Sequence, residues 1–84
     1  MKLTAELSLY PLQEDYIPII RRFIDQLNQQ QRVRVVTNAM STQLCGDFQD
    51  VIQLINDTLA YSCSEFGKQV LVCKFIPGEL AIAG

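Results

Sequence analysis

Histidine is absent from this 84-residue chain. With it go the usual general base at neutral pH and the commonest metal ligand. No Cys-x-x-Cys pair occurs. The three cysteines stand at 45, 63 and 73, an odd number whose spacing makes neither a thioredoxin-type redox pair nor a metal loop. Cys45 and Cys73 fall in apolar, strand-like stretches, where a thiol behaves as a small hydrophobe, so reduced structural cysteines are expected. Basic runs are missing too. Seven Lys and Arg against nine Asp and Glu leave a net charge of −2 and a pI near 4.8. That is a poor basis for the phosphate neutralisation on which nucleic-acid binding rests. No apolar run approaches the roughly 20 residues of a membrane span. Met1-Lys2 leads straight into an alternating pattern, with no apolar leader core or small-residue cleavage site. A soluble, cytoplasmic protein without membrane insertion is the expectation.

What is present suffices for a core. Apolar residues make up 49% of the chain, charged residues 19%, and the mean hydropathy is +0.13, which argues against disorder. The length suits one domain, residues 1–84. Leu3, Ala5, Leu7 and Leu9 alternate with Thr4, Glu6, Ser8 and Tyr10, the period of a half-buried strand, and Pro11 ends the pairing. Asp15 is a candidate N-cap with Pro18 in the first turn. Ile17, Ile20, Phe23, Ile24 and Leu27 then recur on one face of an amphipathic helix. Val33–Asn38 and Met40–Cys45 read as a hairpin turning at Asn38-Ala39 and ending at Gly46. Asp47 opens a second helix whose stripe is Phe48, Val51, Ile52, Ile55, Leu59 and Phe66, with Gly67 as its stop. Gln69–Ile76 is a last strand, Pro77-Gly78 a turn, and 79–84 a loose or oligomer-docked tail.

The order β-α-β-β-α-β implies an α+β, ferredoxin-like sandwich: a four-stranded antiparallel sheet with two helices on one face. The other face then needs an explanation. It carries Glu6, Ser8 and Tyr10 from the first strand. In the third strand the choice lies between Met40, Thr42, Leu44 and Ser41, Gln43, Cys45; the leucine set suits the core, which turns Ser41 and Gln43 outward. The last strand is apolar on both sides, which implies burial against something else, most simply a second copy of the sheet. A homo-oligomer through sheet faces, dimer or tetramer, is expected. The open face also suits a small ligand. Ser8, Asn38, Ser41 and Gln43 offer hydrogen bonds, Tyr10 a stacking ring and Glu6 a negative charge, a mixture matched to a flat heteroaromatic cation.

The segments AELSLYPL (5–12), VVTNAMSTQLCGDFQDV (35–51) and VLVCKF (70–75) resemble the YkoF-type thiamine- and hydroxymethylpyrimidine-binding proteins and the related short thiamine-binding family. The resemblance spans roughly residues 3–76, and its most specific parts are SLYP and the STxxxG element of Ser41, Thr42 and Gly46. It implies ferredoxin-like units assembled sheet to sheet, binding the pyrimidine part of thiamine without catalysis, in thiamine salvage or transport. Carried onto matching positions, Ser8, Tyr10, Ser41 and Thr42 would line the pocket. Thr42 enters through the motif alone, since alternation turns it to the core; Glu6, Asn38 and Gln43 rest on strand geometry. The ligand-binding set is thus Glu6, Ser8, Tyr10, Asn38, Ser41, Thr42 and Gln43, with no metal and no cofactor besides thiamine or hydroxymethylpyrimidine as ligand. Longer YkoF-type proteins carry two such units in one chain and this chain one, so two chains would supply what the tandem protein supplies alone.

Three other readings compete with this one. An acylphosphatase-like enzyme needs an Arg-bearing phosphate loop after the first strand, but Tyr10–Asp15 is acidic and lacks Arg and Gly. The cysteines have no His partner for nucleophilic catalysis, so no enzyme is expected. An RNA-binding sheet requires several stacking aromatics and basic surroundings. A structural or regulatory homo-oligomer that uses the open sheet only for assembly is the serious competitor.

Overall fold

Alternation in the first residues becomes the longest strand of the molecule, β1 (Lys2–Pro11), and the computed structural model, which describes residues 1–83, builds the rest around it. There follow α1 (Ile17–Leu27), β2 (Arg34–Thr37), β3 (Thr42–Asp47), α2 (Phe48–Phe66) and β4 (Gln69–Pro77). The sheet order is β2-β3-β1-β4, antiparallel throughout. This is the ferredoxin-like arrangement. Leu3, Ala5 and Leu7 of β1 join Leu44 of β3, Phe23 and Leu27 of α1, and Val51 and Ile55 of α2 in the core. Both helices therefore cover the face opposite Thr4, Glu6, Ser8 and Tyr10.

Details of the elements differ from the sequence reading. The N-cap of α1 is Tyr16 instead of Asp15, and its carbonyl accepts from Ile20 N at 3.1 Å. The buried stripe of α1 is Ile19, Phe23 and Leu27, an i, i+4, i+8 row, so Ile17 is left half exposed. In α2 the buried row is Val51, Ile55, Thr58 and Ser62, and Ile52 faces outward. The α1 row steps by four and the α2 row alternates four and three; Phe23, Leu27, Val51 and Ile55 of the expected stripes do enter the core. After α1 the chain is clamped. Gln30 Oε1 accepts the amides of Arg32 and Val33 at 2.8 Å each, and Gln30 Nε2 donates to the Leu27 and Val33 carbonyls at 3.0 Å.

The hairpin turn is wider than two residues. Asn38 N donates to the Ser41 carbonyl at 3.0 Å, and Met40 and Ser41 belong to the loop. Nor does Gly46 end β3: it pairs with Leu3 inside the strand. A Cβ there would lie 3.3 Å from the Arg32 carbonyl oxygen and 3.4 Å from Val33, so the glycine permits the α1–β2 connection to pass close by. Asp47 precedes α2 without a side-chain cap and pairs with Lys2 Nζ at 3.1 Å. Gly67 closes α2 at φ 86°, donating to the Cys63 carbonyl at 2.9 Å, a positive φ that glycine adopts without a Cβ clash.

Residues 79–83 are tied to the chain's own sheet. Thr4 Oγ1 donates to the Gly78 carbonyl at 2.9 Å and accepts from Leu80 N at 3.1 Å. Ile82 is buried without belonging to the helix-side core. Gly84, the last residue of the expected tail, lies outside the described residues.

Candidate functional site

On the open face, β1 runs between β3 and β4, and pairing fixes what meets Glu6: Gln43 on one side and Lys74 on the other. Ser41 Oγ donates to Glu6 Oε2 at 2.8 Å, and Lys74 Nζ stands 3.3 Å from Oε1. Gln43 Nε2 in turn donates to Ser41 Oγ at 3.4 Å. The Ser41 hydrogen bond first, and the Lys74 ammonium second, hold the Glu6 carboxyl below its ordinary range. At neutral pH this is an ionised carboxylate with one neutral and one cationic partner. Ser8, Tyr10, Met40 and Val72 complete an open depression of about 360 Å³ around the pair, within the size range of small-ligand sites.

The hairpin loop positions Ser41. Asn38 Oδ1 accepts the amides of Met40 at 2.8 Å and Ser41 at 3.1 Å, an Asx turn of the kind that short polar side chains build. Asn38 thus shapes the loop that presents Ser41 to Glu6. Thr42 lies on the other side of the sheet. It is buried opposite Leu7 and shares a 3.0 Å hydrogen bond with Thr37. Thr42 and Asn38 line a second depression of about 220 Å³, walled by Ile20, Phe23 and Ile24 of α1. The two depressions meet at Ser8, Tyr10, Met40 and Ser41.

The seven candidates therefore divide. Glu6, Ser8, Tyr10, Ser41 and Gln43 share the open face, while Asn38 supports the loop and Thr42 sits at the helix-side cleft. Lys74 and Val72 were missed, because β4 is apolar on both sides and its sequence alone does not say which side faces out. Its pairing does: Val70, Val72, Lys74 and Ile76 oppose Tyr10, Ser8, Glu6 and Thr4. Among these, Lys74 is the single charge. The far end of the same face is closed. Thr4 and Cys45 are buried there, 3.5 Å apart from Oγ1 to Sγ, beneath the strap that Leu80 and Ile82 belong to.

The fold and the polar, half-open sheet face define a small ferredoxin-like protein with a candidate ligand site at the hairpin end. A family model described as "YKOF-related Family" matches residues 2–73, and the chain belongs to that family. Three solved structures share the fold. Protein SP2199 from Streptococcus pneumoniae is 26% identical, with a TM-score of 0.86 over 95% of this chain and 90% of that one. MJ1052 from Methanocaldococcus jannaschii is 22% identical, with a TM-score of 0.78 over 93% and 81%. TM0486 from Thermotoga maritima, described as a proposed thiamine biosynthesis/salvage protein, is 19% identical, with a TM-score of 0.83 over 98% and 91%. Comparison with curated proteins returns no match. Among the described residues, no helix is long and apolar enough to cross a membrane.

Proposed function

We propose that the chain binds thiamine or its hydroxymethylpyrimidine moiety on the open sheet face, without turning it over, in a thiamine salvage or transport role. The observation that carries the reading is the Ser41–Glu6–Lys74 constellation beside Tyr10. An aminopyrimidine edge presents an amino donor next to a ring-nitrogen acceptor. The ionised Glu6 matches the donor, Lys74 Nζ or Ser41 Oγ matches the acceptor, and Tyr10 offers a face for the ring. Because Lys74 already neutralises Glu6, the carboxylate suits the 4-amino group better than the thiazolium cation. Membership of the YKOF-related family and the thiamine description of TM0486 support the same ligand class.

A thermal-shift series with thiamine, its phosphates, hydroxymethylpyrimidine and unrelated heterocycles tests it. A ligand at a hundred times its dissociation constant adds about 2.7 kcal/mol to stability, which is several degrees for a chain of this size. A shift confined to thiamine and the pyrimidine supports the proposal; a flat response at millimolar ligand overturns it. The second reading, an assembly surface without ligand, is favoured by the half-exposed Val70, Val72 and Ile76 on the same face. It predicts that flat response together with a stable oligomer.

A further inference from the structure

β1 outruns one of its two neighbours. It pairs with β4 from Leu3 to Pro11 but with β3 only from Lys2 to Leu7, because β3 begins at Thr42. In an antiparallel strand the N–H and C=O of one residue turn to one neighbour, and those of the next residue to the other. Phe48 N donates to the Met1 carbonyl at 2.9 Å, so the odd residues of β1 turn toward β3. Gly78 N donates to the Lys2 carbonyl at 2.9 Å and Leu12 N to the Lys68 carbonyl at 3.2 Å, so the even residues turn toward β4. Asn38 N bonds the Ser41 carbonyl, which turns Ser41 to β2 and Thr42 to β1, in the same phase. Leu9 is therefore the first odd residue past the end of β3. Among the described residues neither its N–H nor its C=O has a hydrogen-bond partner. Pro11, the next residue turned that way, has no N–H to offer.

The helix-side depression of about 220 Å³ lies against this edge, lined by Leu7, Ser8, Leu9 and Tyr10 together. Side chains of a strand alternate between faces, so four consecutive residues share one hollow only along their main-chain edge. The hairpin loop forms the opposite wall, and Ile20, Phe23 and Ile24 of α1 form an apolar floor. Resting on the pyrimidine reading above, we propose that the Leu9 main chain reads the edge of an aminopyrimidine: its N–H donates to a ring nitrogen and its C=O accepts from the adjacent amino group. One residue's N–H and C=O lie side by side, the pair that a directly opposite strand residue would satisfy. An amino group beside a ring nitrogen presents the complementary pair in one plane, as adenine does to a side-chain amide. The ring takes the place of a continued β3. One of its faces lies on the α1 floor, and the other looks to the open side, where Tyr10 and Ser41 stand. The second amino hydrogen is left for Glu6. The hollow is smaller than the roughly 300–1,000 Å³ of drug-sized sites, and suits one substituted ring.

Amide hydrogen exchange on the ¹⁵N-labelled chain, with and without hydroxymethylpyrimidine, tests the assignment. In the free protein Leu9 should exchange fast, while Leu7 and Tyr10, held in the ladders, exchange slowly. Pyrimidine at a hundred times its dissociation constant leaves about 1% of sites empty, so it should slow Leu9 by up to roughly a hundredfold. L9P removes the N–H without breaking a ladder bond, and L9A, which keeps it, controls for lost leucine packing. Affinity should be roughly tenfold weaker in L9P than in L9A, and the exchange measurement decides without either variant. Slow Leu9 exchange in the free protein overturns the proposal, since the edge is then paired. Pyrimidine that raises the melting temperature but leaves Leu9 exchange unchanged also overturns it, while the open-face reading stands. No response by either measure overturns both.

Discussion

The two ends of the open sheet face start from the same β1 alternation and finish differently. At one end Thr4 and Cys45 are buried under the chain's own strap, with the Thr4 hydroxyl bonded to Gly78 and Leu80. At the other, two to six residues further along β1, Glu6, Ser8 and Tyr10 stand in a depression bordered by the hairpin loop. The difference is one of closure. A sheet face without helices is either covered by the chain or left available for something else. Here the segment around Leu80 and Ile82 lies over one end.

The largest effect on this contrast comes from beneath it. Leu44 is fully buried between β3 and the helices and supports both ends, so L44A should lower stability by about 2–5 kcal/mol. Denaturant unfolding should show the loss, and ligand response should vanish with the fold. Next, T4V removes the hydroxyl that both donates to Gly78 and accepts from Leu80, at a cost of about 1–2 kcal/mol. It should free the strap and raise the labelling rate of Cys45 by a thiol reagent, while leaving thiamine affinity unchanged. A Cys45 that stays protected in T4V would show that the strap is held by Ile82 alone.

At the bare end the effects fall on binding. Y10A should weaken the ligand about tenfold, close to 1.4 kcal/mol, through the lost ring face. S41A should weaken it about fivefold by removing one donor to Glu6, with unfolding unchanged in both variants. Equal affinity in Y10A and S41A would move the site off this face. The smallest effect is on pH. Since folding lowers the Glu6 carboxyl, its contribution is present above the ordinary carboxylate value and is lost as pH falls through the lower folded value. As an exposed pair it adds little to stability. Its trace should appear in titration calorimetry as an acid-side loss of affinity that E6Q lacks.

Much of this was legible from the residues alone. Period-two alternation assigned the faces of β1 because one face of a strand must be apolar to be buried, and Glu6, Ser8 and Tyr10 followed from that. Gly67 and the β-rich segments around the hairpin likewise reflect local backbone chemistry. Three things were decided only by the tertiary structure. Lys74 joined the site through β4's place beside β1, which the pattern of a strand apolar on both faces does not encode. Gly46 proved to be a packing residue because the α1–β2 connection passes 3.3 Å from where a Cβ would stand. The strap closed over Thr4 because a threonine hydroxyl happens to meet a returning carbonyl and amide. Local sequence sets periodicity and turns; which side chains from distant segments meet is set by strand order and chain return, and there the site was made.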